Sequence, residues 1–519
     1  MYDMIIKGGR IVDGSGNEPY TADVAIKDGK IAKIGTDLGD GERVIDATGL
    51  VVTPGFIDSH SHADTAVFTY PEMKEKVEQG ITTAIMGKCG SSPAPLSIYY
   101  DKNSDKTLGE YGREYDICKT MSSFLAHASS VAEGCNLVPF VGHGAIRSAV
   151  MGAANREPSA EELEKMKEFL RDAMKGGAHG MSLGLYYTPG NYAKTEELIE
   201  LAKVVAEEGG MISAHIRTEG DNVLVATEEF IRIVKESGVR GVHSHIKAGG
   251  GKQNHGKMKD ILALIDKANA EGADIYCDVY PYIASNTSLT ATFVPPELMA
   301  DGYVIRNLKD PEKRAYAKSK LKERYGDDDL SWVLVVNVKN RTECLGKRIS
   351  EIAKERGCDA YDAVFDIIID SNNYTGACFF TMAESDVEMA IKHPRSMICT
   401  DSGVARDLAT YHPRLRASFP RAIGRYARDR GILPLHEIIR KVTSLPAQVY
   451  GLNEKGLIKE GYDADICIFD ADRFIDRAEF VTPKTKCDGL NYVIVSGEVV
   501  AEDAVHNGKR CARVLRKGY

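Results

Sequence analysis

Residues 178–216 read AHGMSLGLYYTPGNYAKTEELIELAKVVAEEGGMISAHI. The opening AHGMSLG is a short apolar run and predicts a strand. TEELIELAKVVAEEGG carries helical periodicity, with Thr195 as the expected N-cap and a Gly-Gly stop. MISAHI then predicts a second strand. The same alternation extends outward in both directions. Upstream, SAEELEKMKEFLRDAMKGG places Leu163, Met166, Phe169, Leu170, Ala173 and Met174 on one helical face. Ser159 and Glu162 form a capping-box pattern before it, and Gly176-Gly177 follow as a stop. Downstream, GVHSHIK, KMKDILALIDKANAEGA and DIYCDVYPY predict strand, helix and strand.

Carried along the chain, this pattern yields eight candidate strands, at residues 50–60, 81–88, 137–143, 178–184, 211–216, 241–247, 274–282 and 396–401. Eight strands separated by helical connections are the signature of an α/β fold of the (β/α)8 TIM-barrel class. The gap between the last two strands is too long for one helix, so residues 285–395 are expected to hold an insertion, of the kind that forms a lid over a barrel's active site. Residues 1–53 and 453–519 have a different texture, with β-branched residues between Gly, Asp and Asn, as in IIKGGRIVDG and NYVIVSGEVV. They are expected to close one small β domain from the two ends, with the barrel spanning residues 54–452 between them.

Composition limits the function. The 519 residues include 66 Lys and Arg against 75 Asp and Glu, a net charge of −9 that offers no footprint for nucleic acid or an anionic membrane. A hydrophobic fraction of 43% excludes intrinsic disorder. The start MYDMIIKGGRIVDG lacks a signal-peptide pattern, and no apolar run is long enough to span a bilayer. The 11 cysteines are dilute and contain no CxxC, which fits a reducing cytoplasm and buried, bland thiols.

Barrel enzymes carry their chemistry at the C-terminal ends of the strands. In this chain those ends hold His60 and His62, Cys89, His215, His243 and His245, and Asp401. His60 and His62, two apart on a strand, share a face and can grip one ion together. Imidazole, thiolate and carboxylate together form a zinc-type ligand set. Taken singly, each has an ordinary explanation: HxH is usually incidental, Cys89 a buried hydrophobe, His215 a core histidine, Asp401 a helix cap. Their common position at one rim is what points to metal. With one of His243 and His245 set aside, six candidate ligands accommodate two ions more readily than one, and such ions activate water near neutral pH. His143 also ends a strand and is expected to be structural.

Several motifs carry a family resemblance. PGFIDSHSHAD resembles the first-strand motif of the amidohydrolase superfamily. GKCGSSPAPL, SAHIRTEGD, HSHIKAGG, DVYPYIASNTSL, TDSGV and HPRLRASFPR resemble, in order, the N-acyl-D-amino-acid deacylase (D-aminoacylase) family, and KGLIKEGYDADICIFD is similar to the superfamily's returning β domain. The resemblance spans nearly the whole chain. It implies a TIM barrel with a small β-sandwich domain and zinc-dependent hydrolysis of an N-acyl-D-amino acid, a small-molecule partner. It also implies a tight zinc at Cys89, His215 and His245, with a second, weaker position at His60, His62 and Asp401. His243 falls outside the implied ligand set, and Asp401 matches the family's general base. Relatives with a carboxylated lysine bridge place it on strand 4, which here ends GMSLGLYY without lysine; this favours the cysteine-type site.

Substrate contacts follow from the same resemblance. Arg414 matches the family's carboxylate-binding arginine, and Tyr282 and Ser288 its remaining polar contacts. Lys247, two beyond His245, faces the same side of the strand. Two features depart from the family pattern. Lys88 stands before Cys89 where relatives carry a neutral polar residue, and alternation points it away from the thiol. The stretch between Asp401 and His412-Pro413-Arg414, which borders the substrate, is slightly long. Two other functions fit the same sequence. One is a cyclic amide or imide hydrolase, dihydroorotase-like or hydantoinase-like. The other is a non-catalytic scaffold, which would ordinarily have lost metal ligands.

Overall fold

The computed structural model describes residues 1–96, 116–131, 133–404 and 411–518. Eight short parallel strands form the centre. They are Phe56–Asp58, Ile81–Met86, Asn136–Pro139 continued by Val141–Gly142, Gly180–Gly184, Met211–His215, Arg240–His243, Ile275–Val279 and Ser396–Ile398. The third strand is broken at Phe140; its first half pairs with strand 2 and its second half with strand 4. The ring closes between strands 8 and 1 through a parallel bridge from Ser61 to Ser402 and a bond from the Asp401 amide to the His60 carbonyl (2.9 Å). The result is a (β/α)8 barrel.

Ile57, Ile85, Val138, Val242 and Met397, from five strands, meet in one apolar cluster with Leu445 and Tyr450. Residues from all round a barrel can share a cluster only in its interior. Helix Ser444–Tyr450 supplies the last two and plugs the end where strands begin, since Arg240, the first residue of strand 6, and His179, just before strand 4, bond to the carbonyls of Val449 and Tyr450. The opposite end, where the strands finish, stays open for chemistry.

The outer helices follow sequence logic closely. Ala160–Gly176 is capped by a reciprocal Ser159–Glu162 capping box and ends at Gly177, whose φ of 108° is the left-handed conformation that glycine adopts without strain. Met166, Leu170, Ala173 and Met174 are its buried face. One cap differs from expectation. Lys194, not Thr195, is the N-cap of helix Thr195–Glu207. The Thr195 hydroxyl donates instead to Glu229 Oε1 (2.8 Å), an ion-paired carboxylate that outcompetes a backbone amide.

Both chain ends build the second domain. Its strands run in the order Val505–His506, Glu498–Glu502, Leu490–Val495, Ile466–Phe469, Val51–Pro54, Tyr2–Ile11, Tyr20–Lys27 and Lys30–Gly35, with Gly41–Asp46 also pairing to Tyr2–Ile11. Asp28-Gly29, both at positive φ, make the tight hairpin between the seventh and eighth of these. Ile26 and Ile31 at one end of this order share a core with Ile494 and Val499 near the other. A sheet whose two ends share one core is folded over as a sandwich.

Between strands 7 and 8 a subdomain stands over the open end. Ser285–Thr287, Thr375–Phe379 and Val333–Val338 form its antiparallel sheet, with Thr375–Phe379 in the middle. Its helices include Pro311–Tyr325 and Ala360–Asp370, and it has its own core around Phe293, Leu321, Val335 and Phe365. No helix among the described residues is long and apolar enough to cross a membrane.

Candidate metal centre

The strand ends bring their side chains together over the open mouth. Cys89 Sγ lies 3.3 Å from His60 Nε2 and 3.2 Å from His245 Nε2. Asp401 Oδ1 lies 3.5 Å from His60 Nε2 and 3.3 Å from His62 Nε2. The donor atoms of His60, Cys89, His245 and Asp401 all fall within 4.8 Å of one another. A second group of the same tightness joins His215, Glu219 and His245. All six expected ligands therefore surround one space. Their spacing does not divide them into Cys89/His215/His245 and His60/His62/Asp401; Cys89 groups with His60 and Asp401, and His245 belongs to both groups.

The backbone is bent to achieve this. Cys89, His245 and Asp401 have φ values of 52°, 35° and 47°. Left-handed backbone costs a non-glycine residue roughly 1–2 kcal/mol, and three such residues meet at one site, a concentration that marks function rather than folding. Gly184, at the end of strand 4, permits the approach of Cys89. A Cβ there would stand 2.0 Å from the Cys89 carbonyl oxygen, so strand 4 can end only in glycine at this point.

The donor set fits a cation. Among the described residues, neither ring nitrogen of buried His215 has a hydrogen-bond partner, nor does His60 Nδ1. Burial raises the Cys89 thiol, but His60 and His245 outweigh it and hold it well below its usual range, toward thiolate. Burial likewise raises Asp401, and Arg414 and His245 overcome that to keep it a carboxylate. Imidazoles, a thiol held toward thiolate and an ionised carboxylate packed on one another are a donor set that a zinc-type ion satisfies.

Around the ligands lies a ring of groups that the sequence motifs did not single out. Asp278, fully buried at the end of strand 7, accepts from the His245 amide and stands 3.5 Å from His60 Nδ1. Glu219 Oε1 is 3.1 Å from His245 Nδ1 and 2.6 Å from Lys247 Nζ. Carboxylates behind ligating imidazoles fix ring orientation. Buried Lys76 donates to Asp58 Oδ2 (2.8 Å), to Thr400 Oγ1 (2.7 Å) and to the Ser402 carbonyl (2.7 Å), pinning the segment that carries Asp401. A carboxylate inside an apolar strand, as in FIDSH and YCDVY, was the available signal for Asp58 and Asp278. Glu219 lies in a loop four residues beyond His215 and had no periodicity to announce it.

Lys88 points away from the thiol, into the barrel. Its Nζ donates to Tyr450 Oη (3.0 Å) and lies 4.2 Å from the Phe140 ring centre. Burial pulls its amine down to about 8. His243 faces outward, edge-on to Phe230 at 5.8 Å. His143 pairs with Glu197 (2.8 Å).

A cavity of about 410 Å³ opens from the ligands toward the inserted subdomain. Lys247 and Arg414 both line it. Arg414 donates to Asp401 Oδ2 (2.6 Å) and its guanidinium lies 4.6 Å from the Tyr280 ring centre. Two expected contacts are not there. Tyr282 is buried away from the cavity, its ring edge-on to His412 at 5.0 Å with Arg421 over its face, and Tyr280 lines the cavity instead. The strand ends at Val279 and the Tyr282 amide bonds back to the Tyr280 carbonyl, so two-residue alternation no longer holds. Ser288 caps the short helix Leu289–Phe293, accepting from the Ala291 amide, while Ser285, Asn286 and Thr287 face the cavity. Of the long stretch after Asp401, residues 405–410 lie outside the described residues.

Known proteins share this architecture. The amidohydrolase family model matches residues 43–244 and 349–501. D-aminoacylase of Alcaligenes xylosoxydans xylosoxydans is 34% identical over 518 residues, covering 99% of this chain and 98% of the relative. The crystal structure of N-acyl-D-glutamate deacylase from Bordetella bronchiseptica, complexed with zinc and a phosphonate mimic of the tetrahedral intermediate, superposes with a TM-score of 0.84 at 31% identity, covering 99% of each chain. A D-aminoacylase structure described by its binuclear metal centre gives a TM-score of 0.84 at 32% identity over 100% of both chains. Sequence and structure agree over the full length: the chain belongs to the amidohydrolase family, among its D-aminoacylase and N-acyl-D-amino-acid deacylase members.

Proposed function

We propose that the protein is a zinc-dependent hydrolase of N-acyl-D-amino acids, releasing a carboxylate and a free D-amino acid. The observation that carries this is the joint placement of a Cys–His–Asp donor cluster and two cations, Lys247 and Arg414, on one cavity. Cys89, His215 and His245 would hold the tight ion, and His60, His62 and Asp401 a second, weaker position. Cys89 Sγ touches His60 and His245 alike, which suits a ligand standing between two positions. A bound zinc supplies Lewis acidity toward the acyl oxygen and toward water.

The chain's own residues supply the rest. Asp401, kept ionised beside Arg414, takes the proton of the attacking water and returns it to the leaving amine. Lys247 and Arg414 hold the substrate's carboxylate, the planar guanidinium being suited to that group. Tyr280, stacked under Arg414, takes the polar position expected of Tyr282. Two cations facing one small cavity favour an open-chain acid over a neutral cyclic amide, and an intact donor set argues against a scaffold without chemistry. All eleven cysteines are unpaired, which supports a cytoplasmic location. Asp401→Asn should leave the fold intact and lower hydrolysis of N-acetyl-D-methionine by about 10³-fold or more. Full retained activity would contradict the assignment, and faster turnover of hydantoins or dihydroorotate would favour the cyclic reading.

A further inference from the structure

The inserted subdomain lends the cavity a wall of rings. Tyr325, Trp332 and Phe379 all line it, joined by Tyr186 from the loop after strand 4. The rings are fixed. Trp332 lies 5.6 Å from Tyr325 and 6.1 Å from Phe379. Fully buried Phe293 backs all three at 6.1–6.2 Å. The indole Nε1 of Trp332 donates to Asp328 Oδ1 (3.0 Å), which sets the ring's tilt. Gly220, Gly249 and Gly250 line the cavity beside them and contribute no side chain to fill it. A rigid aromatic wall next to glycines is a slot for a flat or bulky apolar group.

The two cations proposed to hold the substrate's α-carboxylate have no capacity left for a second one. Lys247 is held by Glu219, and Arg414 by Asp401, at the end of the cavity nearest the ligands. The only other described cation on the lining is Arg324, an exposed side chain at the mouth whose guanidinium lies over Tyr325 (4.9 Å). Among the described residues, a side-chain carboxylate on the substrate would meet rings, threonines and only the exposed Arg324, and burying it without a desolvated cation is costly.

The geometry points to an aromatic side-chain subsite: the preferred substrates are N-acyl derivatives of D-phenylalanine, D-tyrosine and D-tryptophan, with Trp332 as the specificity-determining residue. This rests on the proposed N-acyl-D-amino-acid hydrolysis and adds which members of that class are taken. Trp332 is the chain's single tryptophan, so its fluorescence reports occupancy of the slot without reference to turnover.

The test compares zinc-loaded wild type and Trp332→Ala on the N-acetyl derivatives of D-phenylalanine, D-alanine, D-glutamate and D-aspartate. Binding of D-phenylalanine is followed in wild type by Trp332 emission. The expected result is a kcat/KM for the D-phenylalanine derivative at least about 10-fold above each of the others. Trp332→Ala should lower that value by about 10-fold or more while changing the D-alanine derivative by less than about 3-fold, and D-phenylalanine should shift the wild-type emission. A D-glutamate or D-aspartate derivative as the best substrate would overturn the subsite and leave the reaction class standing, as would equal losses on D-phenylalanine and D-alanine derivatives. No hydrolysis of any derivative, with no change in emission, would overturn both.

Discussion

At the seam between the β domain and the barrel, Lys455 Nζ sits 2.8 Å from Asp463 and 2.6 Å from Asp465. Lys30 and Arg513 close on Asp463, and Asn136 and the Ser496 amide on Asp465. At the barrel rim, a cluster buried except at His62 holds four histidines, a thiol and a carboxylate, and His215 keeps both ring nitrogens without a partner among the described residues. The seam answers each charge with its opposite, and its bonds tie residues from both chain ends to strand 3. The rim gathers imidazoles, a thiol and a carboxylate, all metal-ligand types, on bent backbone. Charges matched to each other serve the fold. Metal-ligand side chains gathered on one another serve something brought from outside.

Variants can break this contrast. The largest expected effect is at the rim. Cys89→Ala removes the donor that touches both His60 and His245, and should lower zinc content and cut kcat/KM by about 10³-fold or more, with little change in melting temperature when the metal-free proteins are compared. Metal analysis and calorimetry on the same sample check this. A large loss of stability would make Cys89 a seam-type residue. At the seam the pattern should reverse. Lys455→Met leaves two buried carboxylates short of a cation and should cost about 3–5 kcal/mol of stability. The activity per folded molecule should be unchanged, as denaturant titration and active-site counting would report.

Glu219→Gln sharpens the comparison within the rim. Its carboxylate contacts His245 Nδ1 and Lys247 together. Losing it should weaken zinc binding about 10–100-fold and also raise KM. Chelator competition reads the first effect, and an unchanged zinc affinity would limit Glu219 to Lys247 alone.

The smallest effect concerns Glu133, fully buried with neither carboxylate oxygen hydrogen-bonded among the described residues. Burial, against Arg510 and with Glu72, raises its carboxyl to about 8. The folded state then keeps a proton that the unfolded state gives up near pH 4.5, so stability should decline as pH rises from there to about 8. Glu133→Gln should flatten that decline and raise the melting temperature at pH 9 by a few degrees, with no gain at pH 4. An unpartnered carboxylate with no cation to receive is simply a cost, which is what sets the rim apart.

These differences also explain which features were legible in the sequence. Each barrel strand is a local apolar run, and the Ser159–Glu162 cap is a contact three residues long, so both could be read directly. The three-stranded sheet of the insertion pairs Ser285–Thr287 with Thr375–Phe379, almost ninety residues on, and no local period encodes that. At the site, His60, His62, His215 and His245 announced themselves by position on strand ends. Tyr282 misled because alternation was carried past Val279, where the strand stops. Ser288 misled because a serine before a helix is also a cap. Asp278 and Glu219 act through histidines that lie far from them in sequence or across a loop, and only folding joins them.

The central claim is that the rim is built for a metal that performs amide hydrolysis. The most direct test removes metal from the wild-type protein with chelator, then adds zinc in steps while hydrolysis of N-acetyl-D-phenylalanine is followed. The account predicts an inactive, fully folded metal-free protein that regains activity with the first equivalent of zinc. Undiminished hydrolysis by the metal-free protein would contradict it.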